Sequence, residues 1–394
     1  MALSIGVDVG GTKIAAGVVD EEGAVLERIQ RASPANDRAS ILDTIVDCAL
    51  ELKESHPEAV AVGIGAAGFV SSDRNTMASG TNLDWTGVRI GDVVAERVGL
   101  PVVVENDANA AGWAEARFGA GAGKRNVLVV TLGTGVGGAI VIDGRLVRGA
   151  AGFAAEIGHI NVEPDGRPCG CGQRGCLERY GSGTALGVNG WELARFQPSY
   201  AARIIELSGG NPEHISGKAV TAAAREGDPA ALECYARLGR ALGQGLADLA
   251  AVLDPEVIVM TGGMTEAGPI LLEPVTAAFR AHLTAHAVGV AHVGPGLPGT
   301  AAPGERDLPP GADGETVLRH VSILCHACPV SGIIGTVSAS PGSPPAGPSA
   351  RPRHRSSGSG PCPRCGSRRA PSRPSASWRG WLDAAAGSGR ARRR

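Results

Sequence analysis

One histidine and three cysteines, His159, Cys169, Cys171 and Cys176, fall within eighteen residues of a chain of 394. Neutral imidazole and thiolate are borderline to soft donors, and four of them satisfy a closed tetrahedral Zn²⁺ site without redox chemistry. Glycines at 158, 166, 170, 172 and 175 let so short a segment bend around one ion. Carboxylates flank the cluster, Glu156 before it and Glu178 after it, so a metal here would hold both near one of its ligands. A disulfide, or small cysteines with no shared role, is the alternative reading of the same residues.

Two glycine turns carry a second kind of chemistry. The first is Asp8-Val9-Gly10-Gly11-Thr12-Lys13 and the second Leu132-Gly133-Thr134-Gly135-Val136-Gly137-Gly138. Glycines let backbone N–H groups approach a polyphosphate, Thr12 and Lys13 add a hydroxyl and a charge, and Asp8 can hold Mg²⁺ through water. Neither turn has P-loop spacing or opens a helix as a dinucleotide fingerprint must, and either alone also suits an ordinary hairpin. As a pair they suggest two loops closing on one nucleotide, with Gly262 and Gly263 as a wall for its base. Asp107 stands where a strand ends and a helix begins, the place where open α/β sheets put ligands. Its carboxylate can take a proton from an attacking alcohol. A plain helix cap by Asn106 or Asp107 is the competing role.

The elements that must position these groups are legible from periodicity. Residues 3–9, 14–20 and 24–32 predict three successive strands, and 39–54 an amphipathic helix with Ile41, Leu42, Ile45, Val46, Ala49 and Leu50 on one face. Residues 59–64 and 101–104 predict buried strands, and 108–117 a helix. A second strand pair follows at 127–132 and 138–142, with a short third strand at 145–148. Two helices fill 219–253, broken near Gly227-Asp228-Pro229, before a last strand at 257–261. Strand, glycine turn, strand thus occurs twice, which predicts an α/β chain with an internally duplicated nucleotide-binding unit.

Composition narrows the function classes. The net charge of −2 hides an asymmetry: residues 289–394 hold 14 Arg, no Lys and 5 acidic residues, leaving 23 basic against 34 acidic residues in 1–288. An acidic body argues against nucleic acid as a partner. The start of the chain has no secretory signal pattern, and no apolar run approaches the roughly 18–20 residues that span a bilayer, so a membrane is not expected. Nine cysteines without an even framework suit a reducing cytoplasm. Fifteen of the 26 prolines lie beyond residue 288, among Gly, Ser and Arg, and this tail predicts disorder apart from 316–325 and 332–337. Its Arg-only basic composition is also that of a GC-rich gene read out of frame. The predicted division is therefore 1–117, 118–288 with the metal loop, and a low-complexity 289–394.

Segments 8–13, 105–109, 132–138 and 156–159, with Cys169, Cys171 and Cys176, together resemble the ROK sugar kinases over about residues 3–285. The resemblance implies the actin/hexokinase-like fold: two RNase-H-like α/β domains with ATP and sugar between them. It implies phosphorylation of D-glucose at its 6-hydroxyl by ATP, with Asp107 as general base. N-acetylhexosamines, N-acetylmannosamine among them, are the alternative substrates. Asn106, Glu156, His159 and Glu178 match positions that hold sugar hydroxyls, and Gly68 and Asn82 lie in segments bordering the sugar. The glycine turns become the ATP phosphate loops. Zn²⁺ becomes structural, its imidazole ligand free to meet the sugar through the second ring nitrogen, while Mg²⁺ accompanies ATP. Association into dimers or tetramers is also implied. A ROK-type repressor would carry a helix-turn-helix domain ahead of the first glycine turn, for which Asp8 leaves no room. The family's closing glycine-containing helix has no match in the tail, so a catalytically impaired sugar binder is a further reading. The tail pairs Cys325–Cys328 and Cys362–Cys365 lie too far apart for a zinc ribbon.

Overall fold

The computed structural model describes residues 2–34, 37–80, 85–283 and 292–295, all within a compact unit spanning Met1–Gly335. Asn82, residues 316–325 and 332–337 and the two tail Cys-x-x-Cys pairs lie outside the described residues. No helix among the described residues is long and apolar enough to cross a membrane.

The chain opens as a meander of β1 (Leu3–Val9), β2 (Lys13–Val19) and β3 (Val25–Ala32). Helix α1 (Arg38–Ser55), capped by Asp37 on the Ala39 N–H, then leads to β4 (Ala59–Ala66), which pairs parallel with β1. A small hairpin, β5 (Gly68–Val70) and β6 (Met77–Gly80), and helix α2 (Ile90–Val98) precede β7 (Val102–Asn106). The first sheet has the order β3-β2-β1-β4-β7. Its central strands β1 and β4 are buried almost throughout, as expected where both faces are covered, while edge strand β3 alternates half-buried and exposed residues over most of its length.

Helix α3 (Asp107–Arg117) crosses to the second sheet, formed by β8 (Val127–Leu132), β9 (Val136–Ile142), β10 (Arg145–Leu146), β11 (Val257–Thr261) and β12 (His292–Pro295). Its order, β10-β9-β8-β11-β12, repeats the first: an antiparallel three-strand meander followed by two parallel strands. The duplication read from the two strand–turn–strand segments is therefore present in the strand order. The sheet reaches beyond residue 288, because the backbone of 292–295 pairs parallel with β11.

Strand periodicity sorts the second core. On one face Leu128, Val130, Leu132, Ile258 and Met260 join a cluster with Tyr235, Leu238, Leu242 and Leu246 of the long helix Pro229–Leu253. On the other, Val127, Val129 and Val259 pack with Trp113 of α3. So α3, which directly follows the first sheet's last strand, buries its apolar face on the second. It sits unusually close: a Cβ added to Gly112 would lie 2.1 Å from the Ala139 Cβ on β9. Gly112→Ala should therefore force α3 off β9 and lower stability by about 1–3 kcal/mol, measured by denaturant titration. An unchanged unfolding midpoint would show that the helix can yield freely there.

Candidate active site and metal centre

Strand β7 runs two residues further than the apolar pattern predicts, because Glu105 and Asn106 pair with Gly65 and Ala66 of β4. The chain then turns at once into α3. Asn106 is the cap: its Oδ1 accepts from the Asn109 N–H at 2.9 Å. Its Nδ2 donates to the Gly68 carbonyl at 3.0 Å and to Asp107 Oδ1 at 3.1 Å. Asp107 is thus released from capping and becomes the first helical residue, its Oδ1 accepting from the Ala108 N–H at 2.8 Å. The residue is half-buried, yet the protein around its carboxyl is dense enough that desolvation raises the pKa. Hydrogen bonds from Ala108 and Asn106 oppose that rise without cancelling it.

Glu105, which sequence reasoning passed over, anchors this junction. Only 2% exposed, it receives Arg148 Nε at 2.7 Å, lies 4.0 Å from Arg74 Nε, and accepts from the Asn106 N–H and Asn109 Nδ2, both at 3.2 Å. Arg74 belongs to the β5–β6 hairpin and Arg148 to the loop leading into Glu156, so one buried carboxylate ties three segments of the site together. A T-shaped contact of Phe69 with Phe153, centroids 5.1 Å apart, joins the same hairpin and loop.

Glu156 follows Ala155, whose φ of 70° is uncommon for a residue with a Cβ. It is the centre of an inverse γ-turn (φ −71°, ψ 53°), with the Ile157 N–H on the Ala155 carbonyl at 2.7 Å. A 3-10 turn, Ile157–His159, then lies on β9. A Cβ at Gly158 would fall 2.1 Å from the Val136 carbonyl, and one at Gly138 would fall 2.4 Å from Ile157 Cδ1. Glu156 is open to solvent on one side, but desolvation raises its pKa. His159 lowers it, and the Asp107 and Glu178 carboxylates add to the rise. These four predicted residues therefore share one electrostatic neighbourhood.

The glycine turns differ in their surroundings. Turn one is closed by the Gly10 N–H on the Lys13 carbonyl at 3.0 Å and is bound to the end of β3 by Ser33, whose N–H meets the Thr12 carbonyl at 3.0 Å. Gly11 and Thr12 are exposed, and Asp8, near the end of β1, pairs with Gly65 of β4. Turn two is only Gly133-Thr134-Gly135, since Val136 and Gly137 are already strand. Gly137 lies against α3, where an added Cβ would come 2.9 Å from Ala108 Cβ, beside Asp107. Gly262, at φ 94°, backs onto Leu132 at the start of the turn, and Gly263 opens a 3-10 turn.

In the metal loop the four donor atoms of His159, Cys169, Cys171 and Cys176 all lie within 4.8 Å of one another. Cys169 Sγ is 3.7 Å from His159 Nδ1, and Cys171 Sγ is 3.6 Å from Cys176 Sγ. A tetrahedral Zn²⁺ with bonds of about 2.3 Å to sulfur and 2.0 Å to nitrogen separates its ligands by about 3.5–3.8 Å, so the residues fit the ion. No disulfide joins the described cysteines, and the 3.6 Å between the Cys171 and Cys176 sulfurs is the spacing of two ligands on one ion, well beyond an S–S bond of about 2.05 Å. Burial and the neighbouring thiols push Cys176 up to about 12, a cost that a bound divalent cation reverses. With Nδ1 turned to the sulfurs, Nε2 is the nitrogen left for a second partner.

The chain is similar to proteins of one known family. The model of the ROK family matches residues 4–293. Glucokinase of Streptomyces coelicolor is 48% identical over 280 residues, 71% of this chain and 88% of that protein. Glucokinase of Thermotoga maritima is 37% identical over 273 residues, 69% and 85% of the two chains. The crystal structure of a ROK family glucokinase from Streptomyces griseus, in complex with glucose and AMPPNP, superposes with a TM-score of 0.67 at 47% identity, covering 75% of this chain and 94% of that one. With its two-sheet α/β fold and the family model spanning most of its length, the chain belongs to the ROK family.

Proposed function

We propose that this chain is a glucokinase that transfers the γ-phosphoryl group of ATP to the 6-hydroxyl of D-glucose. The grouping of Asp107, Glu156, Glu178 and His159 carries the reading, because three carboxylates and an imidazole in one electrostatic neighbourhood suit a polyhydroxylated ligand better than an anionic one. Glu156, Glu178, Asn106 and His159 Nε2 orient the sugar hydroxyls beside the Gly68 backbone. Asp107 accepts the 6-hydroxyl proton as the sugar oxygen bonds to the γ-phosphorus, and the bond to ADP breaks with its electrons on the departing oxygen. Burial raises the base toward working pH, where a proton acceptor is most effective. Turns one and two offer backbone N–H groups to the phosphates, with Gly262 and Gly263 behind turn two. Mg²⁺ arriving with ATP would neutralise phosphate charge, with Asp8 the carboxylate of turn one. His159, Cys169, Cys171 and Cys176 would hold a structural Zn²⁺, which would keep His159 Nε2 in one direction.

Asp107→Asn should lower kcat by about 10²–10⁴-fold while glucose binding, measured by calorimetry, stays near that of the unaltered protein. Retained turnover would refute the assignment of the base. Since the base works only when ionised and its pKa is raised, kcat/KM for glucose should fall as pH drops through a midpoint above the ordinary aspartate value of about 3.9. A midpoint at or below that value would contradict the buried base. Removal of bound metal by chelation should weaken glucose binding about tenfold and lower the melting temperature, with Zn²⁺ but not Mg²⁺ restoring both. A lowered melting temperature with unchanged glucose affinity would reduce the metal to a staple of the loop.

A further inference from the structure

The segment just past the last metal ligand lies along turn two and touches each of its residues. The Gly183 N–H donates to the Gly133 carbonyl at 2.8 Å, and Thr184 Oγ1 donates to the Thr134 carbonyl at 2.8 Å. Glu178 Oε2 accepts from the Val136 N–H at 3.1 Å, and a Cβ placed on Gly135 would stand 2.3 Å from the same oxygen. Glu178 is therefore fastened to the turn assigned to the nucleotide, although its sequence neighbourhood is the metal loop on the sugar side. A glycine turn is mobile when free, so an interaction that fixes its backbone removes entropy the nucleotide would otherwise have to remove on binding.

We propose that Glu178 couples the two substrates: with a sugar hydroxyl on one carboxylate oxygen, it holds the Val136 N–H, and with it turn two, through the other. Glucose and nucleotide then strengthen each other's binding by the same factor, as thermodynamic linkage requires. The inference rests on the sugar-kinase reading above and adds to it a named route between the sites.

The test measures binding of a non-hydrolysable ATP analogue to the full chain by calorimetry, with and without saturating glucose, for the unaltered protein and for Glu178→Ala, Glu178→Gln and Thr184→Val. Because Glu178 is also placed at the sugar, the readout is the ratio of the two nucleotide affinities and not either affinity alone. Glucose should tighten nucleotide binding about fivefold or more in the unaltered protein. The ratio should fall to about one in Glu178→Ala. In Glu178→Gln, whose amide oxygen still accepts from Val136 but whose other end donates, it should fall by at least half; this variant carries the test if the alanine protein does not fold. Thr184→Val should weaken nucleotide binding yet keep the ratio. An unaltered protein that binds both ligands without coupling overturns the proposal, as does a full ratio in either Glu178 variant. Failure of the unaltered protein to bind glucose at all refutes the sugar reading, and the coupling with it.

Discussion

Everything at this site depends on how closely other backbone can approach strand β9. Gly137 admits the first turn of α3, Gly138 admits Ile157, and Gly158 lets the 3-10 turn settle on the Val136 carbonyl, while Gly112 lets the helix body sink onto Ala139. Asp107 and Glu156 come from segments that share no sheet register, yet both are set by distance from this one strand. A methyl group at Gly112, Gly138 or Gly158 would displace its partner by about an ångström and one at Gly137 by roughly half that, and a shift of an ångström is enough to misplace a reacting group. Close packing here is thus a condition of the chemistry as well as of stability.

Such proximity brings like charges together, and the surroundings answer that cost locally. Asp107 gains the Ala108 N–H and the positive end of α3. Glu156 has His159, and Glu178 has the Val136 N–H. Glu105, the most buried carboxylate of the group, is held by Arg148 and Arg74 from two different loops. Removing a partner from such a buried carboxylate is costly, which gives the geometry of the three joined segments a stiff electrostatic reference. The carboxyl proposed as the base, by contrast, is met by the Ala108 N–H and the Asn106 amide, and burial leaves its pKa raised. Two carboxylates two residues apart are therefore distinguished by their environments.

Much of this was legible in the residues. The two strand–glycine–strand units, α1, the long helix Pro229–Leu253 and the metal loop announce themselves by periodicity, punctuation and ligand type. What was not legible follows from physical ambiguity. Asn106 and Asp107 are equally good caps, and the choice was made by β7 continuing through Asn106, a pairing with Ala66 some forty residues earlier. Gly137 reads as a phosphate-loop glycine or as a packing glycine with equal ease, and only the position of Ala108 separates these uses. The partnership of Glu105 with Arg148 spans 43 positions with no local pattern to reveal it. The strand at 292–295 hides in a Pro- and Gly-rich stretch because an edge strand added by backbone pairing needs little from its side chains.

The metal loop shows why a ligand cluster can do what hydrophobic packing does elsewhere. Between the 3-10 turn and α4 (Glu178–Gly181) the chain is mostly exposed, and Val162, Cys176 and Leu177 are its buried apolar residues. A segment with so little to bury cannot hold a fixed shape through the hydrophobic effect alone. Its own backbone bonds, such as Cys169 to Gln173 and Gly175 to Arg167, shape two tight turns, and Gly175 is obligatory because any Cβ would meet the Glu163 carbonyl at 1.9 Å. Four donors on one cation supply the remaining constraint from residues at both ends of the loop. Because His159 is one end and Cys176 is two residues from Glu178, fixing the cluster fixes the imidazole proposed to meet the sugar and the carboxylate on turn two at once. The same constraint therefore reaches both halves of the reaction without any element of the loop having to touch the nucleotide itself.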